Sequence, residues 1–291
     1  MHTPRRATSS ALRRPSRTAV IPWAIACQFR TLGCDAAAGH DYRPTMDLGI
    51  AGRTALITGA SAGLGLASAQ ALAAEGVRVA LVSRSTEKLA AALPTVAGEP
   101  VSVAADLTDD ESIDAMLSEV LTTLGHVDIL VANAGGPPPG TFTSTDDDLY
   151  PAALQLNLLA HVRMCRALIP PMRERGWGRV VAITSATVRE PSPNLMLSNT
   201  ARAGLTAFLK TTATEVAGDG VTVNSVQPGL HATSRLRELY DDLDAVAADH
   251  PMGRIGDPGD FGRIVAFLCS ETANYVNGTG LPVEGGSLKG S

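Results

Sequence analysis

From Arg53 onward, short apolar runs alternate with stretches whose apolar residues recur every three or four positions. The runs at Thr54–Thr58, Val77–Ser83, Val101–Ala104, Val127–Ala132, Arg179–Thr184 and Val221–Val226 predict strands, with Leu281–Val283 as a last short one. Between them the spacing predicts helices over Leu64–Glu75, Thr86–Leu93, Asp109–Leu124, Asp148–Arg175 and Asn194–Ala217. Gly76, Pro94 and Gly125 punctuate helix ends, and Thr108 or Asp109 is placed to cap the third helix. Strands that are apolar almost throughout, each followed by a helix, imply a parallel sheet covered on both faces. The expected fold is therefore a Rossmann-type, doubly wound α/β sheet in a single domain. Its ligands belong at the carboxyl ends of the strands, near the reversal of strand order. The segment from His231 to Pro258 falls outside the alternation. It reads either as a mobile helical flap over a substrate site or as a variable surface excursion.

Hydrophobic residues make up 45% of the chain and aromatics only 4%, so the core must be aliphatic. The net charge of −5 supplies no basic field for nucleic acid. No apolar stretch reaches the length of a membrane span. The four cysteines, Cys27, Cys34, Cys165 and Cys269, form neither a CxxC pair nor a zinc-like spacing, and no metal is implied. Cys165 and Cys269 lie in helical apolar runs, where buried free thiols are expected, which suits a reducing, cytoplasmic setting. The first 45 residues differ from the rest: Arg5, Arg6, Arg13, Arg14 and Arg17 cluster there, and no acid precedes Asp35. They read as a transit peptide, as an export signal, or as translated upstream sequence ahead of a start at Met46. The third is preferred, because Met46 opens a short polar lead straight into the first strand. Residues 1–45 are then a disordered extension, and 46–291 the dinucleotide-binding domain.

Candidate chemistry begins at Thr58-Gly59-Ala60-Ser61-Ala62-Gly63-Leu64-Gly65, between a predicted strand and a predicted helix. Gly59, Ser61, Gly63, Leu64 and Gly65 would let the backbone approach a pyrophosphate at a helix N-terminus. The second strand ends in Ser83 and Arg84, and no acid stands between Val77 and Thr86 to read a ribose 2′-hydroxyl. Arg84 instead suits a 2′-phosphate, so the cofactor reads as NADP rather than NAD; the plainer reading is an exposed arginine. Asp106 and Leu107 follow the third strand, where a carboxylate would accept from an adenine amine. Asn133, Ala134 and Gly135 follow the fourth, along the ribose.

Taken in order, these turns, Asn157, Ser185, the run Asn224–Gly229 with Thr233, and the ending Asn277–Gly286 resemble the short-chain dehydrogenase/reductase family, in particular its 3-oxoacyl-(acyl carrier protein) reductases. The likeness runs from about Met46 to the C-terminus. It implies hydride transfer between NAD(P) and a carbonyl or alcohol on a small-molecule substrate. It also implies cofactor contacts from Pro228, Gly229, Thr233 and the residue at 202, and a homotetramer or homodimer built on the two long helices. Leu156, Leu159 and Phe208 allow such packing, or are core. By the same resemblance Asn157 holds a water in a proton relay and Ser185 binds the substrate oxygen. The family's tyrosine and lysine fall on Ser198, thirteen residues after Ser185, and Arg202, four further on. None of Tyr42, Tyr150, Tyr240 and Tyr275 is followed by a lysine at that spacing.

A serine hydroxyl is a far weaker acid than a phenol, and an arginine stays charged. A water held by Ser198 and Arg202 could stand in for the phenol, with Arg202 holding ribose hydroxyls or an oxyanion. Alternatively Ser198 is an inert helix residue and Arg202 a solvated one. The stiff run Gly136-Pro137-Pro138-Pro139-Gly140 is either a substrate wall or a rigid surface turn. Three function classes follow: an NADP-dependent oxidoreductase with an atypical site, a catalytically silent NADP(H)-binding protein or oligomer subunit, and a lyase or isomerase using Arg202 as a clamp.

Overall fold

The computed structural model describes residues 46–290, so the expectations about Cys27, Cys34, Tyr42 and the arginine-rich lead lie outside the described residues. Seven strands are present: β1 (Thr54–Thr58), β2 (Arg78–Ser83), β3 (Val101–Ala104), β4 (Ile129–Ala132), β5 (Gly178–Ile183), β6 (Val221–Pro228) and β7 (Gly280–Val283). All pair in parallel, in the order β3-β2-β1-β4-β5-β6-β7. The chain builds outward from β1 to β3, returns to lay β4 beside β1, and then builds the other way. The switch point therefore lies between β1 and β4.

The helices among the described residues are α1 (Gly63–Ala74), α2 (Thr86–Ala92), α3 (Asp110–Leu124), α4 (Tyr150–Leu154), α5 (Ala160–Glu174), α6 (Met196–Val216), α7 (Ser234–Leu239), α8 (Leu243–Asp249) and α9 (Pro258–Leu268). Leu56, Ala80, Leu130 and Val180 face one layer, with α3, α5 and α6 packed on it. Ile57, Leu81, Val131 and Val181, their sequence neighbours, face the other, beneath α1, α2 and α9. Both faces of each central strand are thus buried, which is why the strands lack polar alternation. Cys165 sits in the first layer and Cys269 in the second. Burial pushes both thiols up to about 12, against the opposing charge of Arg179 at Cys269, and keeps them protonated.

Asp109 rather than Thr108 caps α3, its carboxylate accepting from the Glu111 amide. Two elements differ from expectation, a break in one helix and the presence of α9. The single helix expected over Asp148–Arg175 is broken: between α4 and α5 lies a π-helical turn, Gln155–Leu159. The segment after His231 is partly helical, as expected, and holds two short helices, α7 and α8. α9 closes the second layer, with Asp257 as its cap and Pro258 at its first position. On the surface set aside for self-association, Leu156 and Phe208 pack against the core, and Leu159 is exposed. No helix among the described residues is long and apolar enough to cross a membrane.

Candidate active site

The turn from β1 into α1 takes two left-handed residues, Gly59 (φ +58°) and Gly63 (φ +59°), which only glycine adopts without strain. Ala62 at the N-cap offers no side-chain bond, and the first turn of α1 carries no acid. Its amide N–H groups and the positive end of the helix dipole therefore stay free for an anion. Gly65 is packed so closely that a Cβ there would lie 2.3 Å from the Gly59 carbonyl oxygen. Across the switch point, Asn133 Nδ2 donates to that same carbonyl at 3.2 Å. Thr58 Oγ1 donates to the Asn133 carbonyl (2.7 Å) and accepts from its amide (2.9 Å). The two turns are stitched into one floor. Ser61 and Leu64 are half-buried along it.

Arg84 is exposed at the end of β2, and the Ser83 hydroxyl accepts from the Ser85 amide. After β3, the Asp106 carboxylate accepts from the Thr108 amide (2.9 Å) and hydroxyl (2.8 Å). The amide bond, followed by the hydroxyl and the charge of Arg84, holds Asp106 below the usual carboxylate range against partial desolvation. Arg84 and Asp106 thus share one end of the cleft. The Leu107 side chain is core, so only its backbone is available to a ligand.

The other end of the cleft gathers Asn157, Ser185, Ser198 and Arg202. Asn157 lies within the π-helical turn, a distortion common at functional sites. It is fully buried, donates to the Gly135 carbonyl at 2.9 Å, and leaves Oδ1 without a partner among the described residues. Ser185, at the end of β5, caps a 3₁₀ turn, Ala186–Val188; its Oγ accepts from the Thr187 amide and lies 2.9 Å from the Thr187 hydroxyl. Ser198 and Arg202 lie one turn apart on the buried face of α6 with Ala201 and Leu205. Arg202 is not the solvated helix arginine that the sequence left open. It is 6% exposed, and its guanidinium donates to the carbonyls of Ile183 (2.9 Å), Thr184 (3.0 Å) and Ala134 (3.4 Å). Burial, and then the charge of Arg235, pulls its pKa down to about 10, so it remains a cation at neutral pH.

Two residues here escaped the sequence reading. His161 follows Asn157 by one turn and is fully buried beside the Ala132 carbonyl, short of hydrogen-bond geometry. Burial, then the charge of Arg202, pulls its pKa down to about 3, with the Ala132 carbonyl opposing. The spacing of four from Asn157 was its only signal. Arg235, on α7, donates to the Pro137 carbonyl (3.0 Å) and pairs with Glu238 (2.9 Å); nothing in its local sequence marks it. The Gly140 amide donates to the Asn194 carbonyl and its carbonyl accepts from the Met196 amide, so the proline run lies between α7 and the start of α6.

At the end of β6, Gly229 is packed against the C-terminal segment: a Cβ there would lie 2.6 Å from Glu284 Cβ. Its small size is explained by that contact. Pro228 is half-buried beside it, and Thr233 stands at the N-cap of α7. A Cβ on Gly63 would lie 3.4 Å from Thr233 Cγ2, so the segment carrying α7 starts against the β1–α1 turn. No cluster of metal-ligating side chains occurs among the described residues. The uncapped helix start and the glycine floor at the switch point fit the pyrophosphate of a nicotinamide dinucleotide.

A family profile described as enoyl-(acyl carrier protein) reductase matches residues 59–287. The 3-oxoacyl-(acyl-carrier-protein) reductase FabG of Haemophilus influenzae is 34% identical over 237 residues, 81% of this chain and 98% of that protein. L-sorbose reductase from Gluconobacter frateurii, solved with NADPH and L-sorbose, is 36% identical with a TM-score of 0.80, covering 84% of this chain and 100% of that one. An NADPH-bound short-chain oxidoreductase from Pseudomonas aeruginosa PAO1, described as containing an atypical catalytic center, is 30% identical with a TM-score of 0.76, covering 82% of this chain and 98% of its own. Sheet order, switch-point turns and sequence agree: this chain belongs to the short-chain dehydrogenase/reductase family.

Proposed function

We propose that this protein is an NADP(H)-dependent oxidoreductase that interconverts a carbonyl and an alcohol on a small molecule, with Ser198 and Arg202 in place of the tyrosine and lysine of the family. The reading is carried by the convergence of Asn157, Ser185 and Arg202 on the carboxyl ends of β4 and β5, facing the same cleft as the glycine floor. An exposed Arg84 with no acid at the end of β2 supports the 2′-phosphate form, as does the NADPH of the sorbose reductase complex. When bound, the nicotinamide supplies or accepts the hydride. Ser185 binds the substrate oxygen once its hydroxyl turns from Thr187. Arg202 stabilises negative charge developing on that oxygen, in a site where few waters compete. A guanidinium gives up no proton at neutral pH, so the proton comes from a water bound at Ser198, and the hydroxide left behind, beside the Arg202 charge, is reprotonated from solvent. Losing a positioned phenol typically costs ~10²–10⁴-fold in rate, so turnover is expected to be slow.

Self-association as a homodimer or homotetramer belongs to the same reading, with Leu159 available for it; light scattering measures it. Buried, free Cys165 and Cys269 suit a reducing compartment.

The test is an NADPH titration followed by a panel of ketones, 3-oxoacyl thioesters and alcohols. Binding with slow NADPH oxidation on at least one carbonyl is expected. Tight binding with no turnover on any of them would leave the second reading, a silent NADP(H)-binding protein. That reading is favoured by one observation: Arg202 already commits its guanidinium to three main-chain carbonyls.

A further inference from the structure

The interior beside Arg202 holds more polar atoms than packing needs. His161 projects from a face of α5 otherwise made of Ala160, Met164, Cys165 and Leu168. Neither of its ring nitrogens has a partner among the described residues, and Asn157 Oδ1, one turn earlier, has none either. Leaving such groups unpaired in the interior costs stability that an aliphatic side chain would not. Arg202 supplies the complement. Three of its N–H bonds go to the carbonyls of Ile183, Thr184 and Ala134, and the guanidinium fork has more to give.

The end of β4 ties these groups together. Thr58 donates to the Asn133 carbonyl, Arg202 to that of Ala134 and Asn157 to that of Gly135, while the His161 ring stands beside that of Ala132. Every carbonyl of this turn therefore faces a polar side chain, three of them from the helices that carry the candidate site.

Resting on the assignment of Arg202 to the reaction site, we propose that His161 is a positioning residue for its guanidinium: with Asn157 Oδ1 it anchors a shared water that takes up the remaining N–H bonds of Arg202 and fixes its tilt without cancelling its charge. A buried water needs two to four polar partners, and these three side chains supply them. A neutral imidazole suits the role because it offers one donor and one acceptor. A carboxylate at 161 would pair with Arg202 and quench its field, and an ammonium would repel it. Burial and the neighbouring cation both hold the ring neutral.

The test combines ¹⁵N-histidine NMR on the full chain with NADPH binding and kinetics. The His161 ring, assigned by its loss in His161→Gln, should stay neutral from about pH 8 to pH 5, and Arg202→Lys should move its nitrogen resonances. His161→Leu should slow turnover roughly tenfold and shift the pH profile, and His161→Gln, which still offers an acceptor, should recover most of the loss. Melting curves separate these effects from unfolding. If the Leu variant does not fold, the Gln variant and the spectra decide. Ring resonances indifferent to Arg202→Lys, or wild-type kinetics and pH profile in His161→Leu, overturn the proposal. The spectra read the His161–Arg202 coupling whether or not hydride moves, so failure of the oxidoreductase reading and failure of this one are distinguishable.

Discussion

At position 198 a short hydroxyl stands on the buried face of α6, and one turn further a guanidinium points into the carbonyl ends of β4 and β5. If proton delivery limits the rate, restoring the phenol and ammonium should relieve it. The double variant Ser198→Tyr with Arg202→Lys should raise kcat by about 10²-fold or more on any carbonyl the wild type reduces; an unchanged or lower kcat would show that the site works by another route. Arg84→Ala should raise the KM for NADPH by roughly tenfold and leave that for NADH nearly unchanged, the loss of one charge-assisted contact. Equal effects on both cofactors would remove Arg84 from the 2′-phosphate. That Ser198 and Arg202 share one face of a helix was legible from their spacing of four. His161 and Arg235 were not, because their roles come from neighbours brought in by other elements: Arg202 for one, the proline run for the other.

Among the elements, the β1–α1 turn tolerates little change. In Gly65→Ala the new methyl would meet the Gly59 carbonyl at 2.3 Å, with backbone unable to give way. NADPH affinity should drop by more than about tenfold together with a lower melting temperature, and retained affinity would mean that the turn relaxes more easily than its packing suggests. The strands were readable to within two residues, since burial on both faces makes most of their positions apolar; β6, which carries Thr222, Asn224, Ser225 and Gln227, runs two residues past its expected end. The broken helix was not. An apolar period near 3.6 runs through residues 148–175, and one wide turn at Gln155–Leu159 alters the backbone bonding without altering that period. α9 was also left undelimited, although Phe261, Val265 and Leu268 make a buried face, because the irregular stretch before it hid where the helix begins.

For the molecule as a whole, buried neutral histidine makes stability depend on acid. Unfolded, His161 takes a proton near its ordinary value of about 6.5; folded, it does so only at about 3. Between these limits the unfolded chain binds more protons. Stability is thus whole above the upper limit and falls as pH is lowered, by ~1.4 kcal/mol per pH unit from this group. His231, whose pKa burial also lowers, acts in the same direction. Chemical denaturation from pH 7 to pH 4 should show a shallower slope for His161→Gln than for wild type, and parallel curves would contradict the buried neutral ring. That strand order reverses was legible from the doubly wound pattern, whereas the order itself, and the attachment of α7 through Arg235 to Pro137, depend on the assembled fold. One last property follows from where the two sulfur atoms lie. Each half of the sandwich carries its own concealed, protonated thiol, so an alkylating reagent finds neither until that half opens. Peptide-resolved labelling of Cys165 and Cys269 would therefore time the two halves independently: matched rates would mark concerted melting, and unmatched rates would show which side peels away first.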